Sequence, residues 1–323
     1  MGPTGRTRLW ATILFTTLAG CEAVIVDPEI AARLEFSDWT PAISMAPPSA
    51  DPDFNTPSLD GCPFISPDGK SFYMASNRPN GEGGIDIWVS TRSGPDGYWG
   101  APVNVSAPVN SEVDDFCPTI ARDGHTFYFV SRRQVGEQGV DWCGGADIYV
   151  TRLRADNGFE EPRNLGCEVN SAADEFSPFP VENDGGGAGL YYSSTRPGAG
   201  TGGDLYFSPW HANGYGAGIL IPGVNSLSDD GQPNVSRDGL ALFFYSNRAD
   251  DGAQGGNDIY VSTRASLQGP WSTPVNLGPN VNSAQAETRP SLSWDETTLY
   301  FGSTRPGEGS SDIYMTTRSR VLH

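Results

Sequence analysis

The stretch that decides the fold runs Pro63-Phe-Ile-Ser-Pro-Asp-Gly69, then Phe72-Tyr-Met-Ala-Ser-Asn-Arg78, then Asp86-Ile-Trp-Val-Ser90, then Trp99-Gly-Ala-Pro-Val-Asn104. This four-part phrase occurs five times, with opening prolines Pro63, Pro118, Pro178, Pro233 and Pro290 spaced 55, 60, 55 and 57 residues apart. Such a period belongs to propellers and solenoids. Within each copy the apolar runs are short, rich in Ile, Val, Phe and Tyr, and punctuated by turn residues, which predicts four antiparallel strands. Asp68-Gly69, Asp123-Gly124, Asp184-Gly185 and Asp238-Gly239 join the first two strands, a pairing that supplies the positive φ of tight hairpins; the fifth copy departs with Asp295-Glu296. Second strands such as Phe127-Tyr-Phe-Val-Ser131 and Leu242-Phe-Phe-Tyr-Ser246 are apolar without alternation. Both of their faces must be covered, as happens when blades stack around an axis.

The fifth copy stops after its third strand, Asp312-Ile-Tyr-Met-Thr-Thr317. Near the start, Trp39-Thr-Pro-Ala-Ile-Ser44 matches the fourth-strand phrases Trp99-Gly-Ala-Pro-Val-Asn104 and Trp271-Ser-Thr-Pro-Val-Asn276. It reads as the missing strand, which closes the ring and removes an exposed sheet edge. The expectation is an all-β, five-bladed propeller of four-stranded antiparallel blades over residues 38–323, closed by the N-terminal strand.

Residues 1–20 read as an export signal, with Arg6 and Arg8 ahead of an apolar stretch from Leu9 to Leu18. Leu18-Ala19-Gly20-Cys21 resembles the bacterial lipobox, which implies cleavage before Cys21 and acylation of its thiol and new amino group. Glu22, rather than Asp, follows the cysteine, and by resemblance to lipoprotein sorting signals this favours the outer membrane. Residues 21–37 then form a tether to a periplasmic or surface-facing body. Loss of the two arginines takes the formal charge from −19 to −21. A body that negative is repelled by nucleic acid and anionic lipid, leaving cations, basic proteins or neutral glycans as partners and the lipid as the membrane contact.

Four cysteines remain after Cys21, and export makes disulfides expected. Cys62 and Cys117 hold the same place in successive copies, while Cys143 and Cys167 fall in loops at one end of a propeller. Of three connectivities, Cys62–Cys117 with Cys143–Cys167 is favoured. No metal site or cofactor is expected, since neither a CxxC pair nor a nearby histidine exists.

Charge repeats as strictly as the strands. Arginine closes every second strand (Arg78, Arg133, Arg196, Arg248, Arg305), and aspartate opens every third (Asp86, Asp147, Asp204, Asp258, Asp312). A carboxylate stands three before each opening proline (Asp60, Asp115, Glu175, Asp230, Glu287). Strand direction puts all three sets at one end of the ring. They could hold a cation or an oligomeric ligand. A structural role is favoured, in which each guanidinium bridges carboxylates of its own and the adjacent blade, because a site normally breaks symmetry.

The phrase Ser-Pro-Asp-Gly-Lys70, aromatic strand, Ser-Asn-Arg78, Gly-Gly, Asp86-Ile-Trp resembles the TolB-like (WD40-like) β-propeller repeat of bacterial envelope proteins, over residues 39–318. The resemblance implies a protein-binding or scaffold role in the envelope without catalysis. TolB-type rings have six blades and an additional N-terminal domain, and neither is visible here. Three histidines (His125, His211, His323) and no Gly-x-Ser-x-Gly elbow also speak against a hydrolase triad. The alternative is a glycoside hydrolase or glycan-binding five-bladed propeller, with paired carboxylates across a central funnel. Its candidates are acidic residues outside the repeated positions, including Glu112, Asp141, Glu168 and Glu182. Trp88, Trp142 and Trp210 are not equivalent by position, which weakens a five-fold lectin.

Overall fold

The first hairpin shows how each repeat is punctuated. Ser66 N–H bonds the Ser71 carbonyl at 2.8 Å, Gly69 N–H bonds the Ser66 carbonyl at 2.8 Å, and the Ser66 hydroxyl donates to Asp68 at 2.6 Å. Gly69 takes φ +69°, and Gly124 and Gly239 repeat it at +70° and +74°. In the fifth copy Glu296 occupies the same left-handed position at φ +63°, where a side chain is disfavoured. The computed structural model describes residues 36–45, 53–94, 97–134, 142–182, 188–200, 202–249 and 252–321. The expected signal peptide, the lipidation site Cys21, the turn Asp184-Gly185, Asp141 and most of the tether lie outside the described residues.

Five antiparallel sheets form the blades. Their inner strands are Asp60–Ile65, Asp115–Ile120, Glu175–Val181, Asp230–Val235 and Glu287–Leu292. Second strands follow at Ser71–Ser76, Thr126–Ser131, Gly189–Ser194, Ala241–Ser246 and Thr298–Ser303, and third strands at Asp86–Thr91, Asp147–Arg152, Asp204–His211, Asp258–Thr263 and Asp312–Thr317. Short outer strands complete the first four blades at Val103–Asn104, Arg163–Asn164, Ile219–Leu220 and Val275–Asn276. Blade three carries one additional pairing, Gly214–Tyr215 on its third strand. The fifth blade is completed from the other end of the chain, where Ile43 pairs with Met315 and Ser44 with Tyr314. Phe36 bridges Arg320 beyond that strand.

The inner strands neighbour one another in a closed cycle. Between blades, Asp115 N–H bonds the Ile85 carbonyl at 2.7 Å, and Glu175, Asp230, Glu287 and Asp60 make the same bond to Ala146, Gly203, Asn257 and Ser311. Second strands are covered on both faces: Phe72, Phe127, Phe129, Phe244 and Phe301 have no exposed surface. The buried apolar side chains of the described residues gather in five clusters between blades. Truncating one such phenylalanine to alanine costs roughly 3–5 kcal/mol.

A further repeated element sits in the connections between blades. Asn110 accepts the Ile87 N–H at 2.9 Å and donates to the Ile87 carbonyl at 2.9 Å, clamping the third strand of blade one from the loop entering blade two. Asn170 clamps Ile148, Asn225 clamps Leu205, Asn282 clamps Ile259, and Asn55 clamps Ile313 in the same two-way manner. The signal was the apolar-Asn-Ser/Thr triplet at 54–56, 109–111, 169–171, 224–226 and 281–283. In four of the five the clamp asparagine directly follows a fully buried valine, so the loop is anchored by packing as well as hydrogen bonds.

Candidate functional site

The charged ring forms five copies of one latch. Asp60, Asp115, Glu175, Asp230 and Glu287 have no exposed surface. Each meets the arginine of its own blade: Arg78–Asp60 at 2.6 Å, Arg133–Asp115 at 2.8 Å, Arg196–Glu175 at 2.9 Å, Arg248–Asp230 at 2.5 Å and Arg305–Glu287 at 3.2 Å. Each carboxylate also accepts the N–H and hydroxyl of a residue in the entering loop, Thr56, Ser111, Ser171, Ser226 or Ser283. The guanidinium continues to a loop carbonyl, Phe54 at 2.8 Å, Val224 at 2.9 Å, and likewise Val109, Val169 and Val281. Burial pushes the carboxyls of Asp115, Glu175 and Glu287 upward, against the pull of these arginines and hydroxyls.

The third-strand aspartates differ from expectation. Asp86 accepts the Glu82 N–H at 2.5 Å and the Asn104 amide at 3.2 Å, and Asp147 accepts Cys143 N–H and the Asn164 amide. Asp204, Asp258 and Asp312 likewise take N–H groups of their own loops, from Ala199, Gln254 and Glu308. None of these five pairs with a ring arginine among the described residues, because the backbone of each second-to-third-strand loop reaches it first. The ring is therefore committed to holding loops, and its carboxylates have few lone pairs left for a ligand.

Disulfides join Cys62 to Cys117 and Cys143 to Cys167, with Cα separations of 5.0 and 5.6 Å. The first borders the narrow channel on the ring axis, a space of about 30 Å3. The second lies at the latch end, between a loop of blade two and the connection to blade three. Among the described residues no group of His, Cys, Asp and Glu has the arrangement of a metal site.

The open cavity lies at the opposite end of the ring, among the first hairpin turns and the third-to-outer-strand loops. It has a volume of about 570 Å3 and its exposed lining is mainly apolar. Phe179, Tyr191, Trp271 and Trp294 border it, with Arg122, Arg237 and Arg264. Trp294 of blade five lies against Arg122 of blade two and Arg237 of blade four, the guanidinium carbons 5.2 and 5.3 Å from its ring centre. Arg264 lies 4.3 Å from the ring of Trp271 and donates to the Gly239 carbonyl at 2.8 Å. Two carboxylates border the cavity, Glu182 and Asp238, from the inner-strand ends of blades three and four. Behind the wall Glu296 accepts the Arg237 N–H at 3.1 Å, and burial together with the nearby Asp238 charge raises its pKa.

Of the acidic candidates outside the repeats, Glu182 borders this cavity, whereas Glu112 and Glu168 are exposed on loops at the latch end. Trp88 is buried in its blade, and Trp142 and Trp210 are exposed away from the cavity. Asp238, Trp271 and Trp294 went unrecognised. Asp238 looks like a turn residue, Trp271 like the opening of a fourth-strand phrase, and Trp294 stands where no repeated phrase directs attention.

No family model matches the chain, and no curated protein matches it. Solved structures do. An α-L-arabinofuranosidase from Lactobacillus brevis superposes with a TM-score of 0.54 at 13% identity, over 81% of this chain and 90% of that one. An endo-arabinase from Bacteroides thetaiotaomicron gives 0.54 at 14%, over 87% and 97%. A xylan β-1,4-xylosidase from Bacillus halodurans gives 0.53 at 16%, over 82% and 54%. At these identities the likeness establishes a shared five-bladed propeller fold.

The comparison corrects three expectations. The resemblance to TolB-like repeats does not hold, because the ring has five blades where TolB-type rings have six, and the structures it superposes on are glycosidases. The non-catalytic, protein-binding scaffold rested on that resemblance and is overturned with it. So is the expectation that the chain is not an enzyme.

Proposed function

We propose that this propeller is a carbohydrate-active protein of the glycoside hydrolase kind, taking a sugar unit in the cavity at its turn end. The observation that carries the reading is the cavity itself. Its volume of about 570 Å3 is that of a small-molecule site, with polar groups set into apolar walls. Trp271 and Trp294 suit the C–H faces of a sugar ring, and Arg122, Arg237 and Arg264 offer N–H donors to its hydroxyls. Glycoside hydrolysis needs one carboxyl group as acid and a second as base or nucleophile. Asp238 and Glu182 are assigned those two roles, since they border the cavity while the ring carboxylates are consumed in latches. The glycosidases that share the fold support the same reading.

The test is a screen of arabinan, xylan and aryl glycosides of arabinofuranose and xylose for released reducing ends or phenol. Release by the wild type, lost in Asp238→Asn and Glu182→Gln, is the expected result. No release from any substrate, or release untouched by both substitutions, overturns the assignment.

The Leu18-Ala19-Gly20-Cys21 sequence supports a further proposal, export and lipid anchoring through Cys21 in a bacterial envelope. The wild type should partition with membranes and Cys21→Ser should not; a wild type recovered in the soluble fraction refutes the anchor.

A further inference from the structure

Five residues hold the same place in the five inner strands, each one before the proline: Cys62, Cys117, Ser177, Gln232 and Arg289. Each has a left-handed φ, between 47° and 58°, at the bulge where its strand slips register. Non-glycine residues adopt that conformation in a strand only when the surroundings impose it. The bulge sets all five on the wall of the axial channel. Two of them are joined in a disulfide, and the Ser177 hydroxyl donates to the Cys117 sulfur at 3.3 Å. Gln232 and Arg289 are left.

Arg289 is a cation without a counter-charge. Every ring arginine has its carboxylate, whereas Arg289 makes no ion pair and no hydrogen bond with any described residue. The residue keeps partial exposure where it borders the channel, but its Nε is buried with no partner. Its Nη1 is wedged against blade one, 3.3 Å from where a side chain on Gly61 would begin. Burial pushes its pKa down, and the neighbour opposing that shift is the Tyr245 phenol, whose hydroxyl already donates to Asp229 at 3.2 Å. A guanidinium does not give up its proton at ordinary pH, so the charge stays. A buried guanidinium N–H without a partner is unfavourable, and something must compensate it.

Two more polar atoms in the same channel are buried without partners, Ser291 Oγ and Gln232 Oε1. The serine hydroxyl is a donor. The glutamine amide presents its NH2 instead of its oxygen after a half-turn about its last bond. No carboxylate borders the channel among the described residues. Donors and positive charge without acceptors of negative charge describe a site for an anion. The channel offers a space of about 30 Å3. That is room enough for a small anion such as a halide.

We propose that the channel holds one halide ion, bound by Arg289 of blade five with Ser291 of the same strand and Gln232 of blade four donating to it. The ion ties the inner strands of blades four and five at the axis, as the Cys62–Cys117 disulfide ties those of blades one and two. This inference stands whether or not the cavity at the turn end hydrolyses glycans.

Bromide is the probe, because its anomalous scattering identifies it in a crystal. Crystals of the wild-type chain soaked in sodium bromide should show one anomalous peak in the channel, beside Arg289 Nε and Ser291 Oγ. In solution, replacing gluconate by bromide at constant ionic strength should raise the melting temperature along a saturating curve, as a ligand bound by the native state does. Ser291→Ala should shift half-saturation to about tenfold higher bromide, the effect of losing one hydrogen bond to a charged group. Arg289→Gln should abolish the response. A wild-type crystal without the peak, a melting temperature indifferent to bromide, or an undiminished response in Arg289→Gln overturns the proposal. If Arg289→Gln does not fold, the wild-type peak and the Ser291→Ala shift decide.

Discussion

Asn55 accepts the Ile313 N–H at 2.7 Å and returns an N–H to the Ile313 carbonyl at 3.0 Å, across 258 residues of chain. This clamp also holds the ring shut, since Ile313 lies in the strand on which Ile43–Ser44 pairs. Asn55→Ala leaves a buried N–H without a partner and weakens a carbonyl that Met45 N–H still reaches at 2.9 Å. A loss of about 2–3 kcal/mol in urea unfolding is expected. Asn110→Ala removes the same bonds inside blade one, at similar cost. The two variants separate in amide exchange: Asn55→Ala should lose protection at Thr40, Met45 and Ile313, and Asn110→Ala should not.

Arg248 and Asp230 are the tightest of the latches, at 2.5 Å, and Asp230 is fully buried. Replacing the arginine strands that carboxylate and releases the Val224 carbonyl. Arg248→Met should therefore cost about 3–5 kcal/mol in chemical denaturation, the range for breaking one partner out of a buried pair. Removing both charges, as Arg248→Met with Asp230→Asn, should recover part of that loss. A single substitution within about 0.5 kcal/mol of wild type would mean that the latches are surface ion pairs.

Symmetry made some of this molecule readable and concealed the rest. The closing strand was legible because Trp39-Thr-Pro-Ala-Ile-Ser44 repeats a phrase whose place in the blade two other copies had already defined. The latch arginines were legible for the same reason, although the loop backbone that captures Asp86 and its equivalents leaves no mark in a side-chain pattern. The cavity was not legible, because Trp294, Trp271, Asp238 and Glu182 are neighbours through the ring rather than through any one repeat. Arg289 lies between these cases. Its position is repeated, but its charge against Cys62, Cys117, Ser177 and Gln232 is the departure that carries chemical content.

Two carboxyls should give stability opposite slopes with pH. Partial burial pulls Asp123 up, but the Thr126 hydroxyl at 2.6 Å and the N–H groups of Thr126 and His125 outweigh it and hold the carboxyl below its ordinary value. Its contribution is present above the unfolded pKa and lost as pH falls through the folded one. Glu296 is raised, first by burial and then by Asp238, so it binds its proton more tightly folded than unfolded and its share of stability falls as pH rises through that window. In urea titrations Asp123→Asn should be about 1 kcal/mol below wild type at pH 7, with the gap closing toward pH 3. Glu296→Gln should gain on wild type between about pH 4 and 7. Parallel curves for either variant would remove its group from the pH dependence.

If the cavity at the turn end is a sugar site, its aromatic wall and its carboxylates should separate kinetically. Trp271 borders the cavity and stacks on Arg264, which stays anchored to the Gly239 carbonyl when the ring is removed. A stacking face holds the substrate and the transition state about equally, so its loss acts on binding. Trp271→Ala should raise KM about tenfold, the equivalent of one aromatic contact, with kcat little changed. Asp238→Asn keeps the size and the hydrogen bond from Ser236 but removes the group that exchanges protons. It should lower kcat by about 10²–10⁴ and leave KM near wild type. The opposite pattern, with the tryptophan controlling kcat and the aspartate KM, would move the chemistry away from Asp238 and leave it a turn residue.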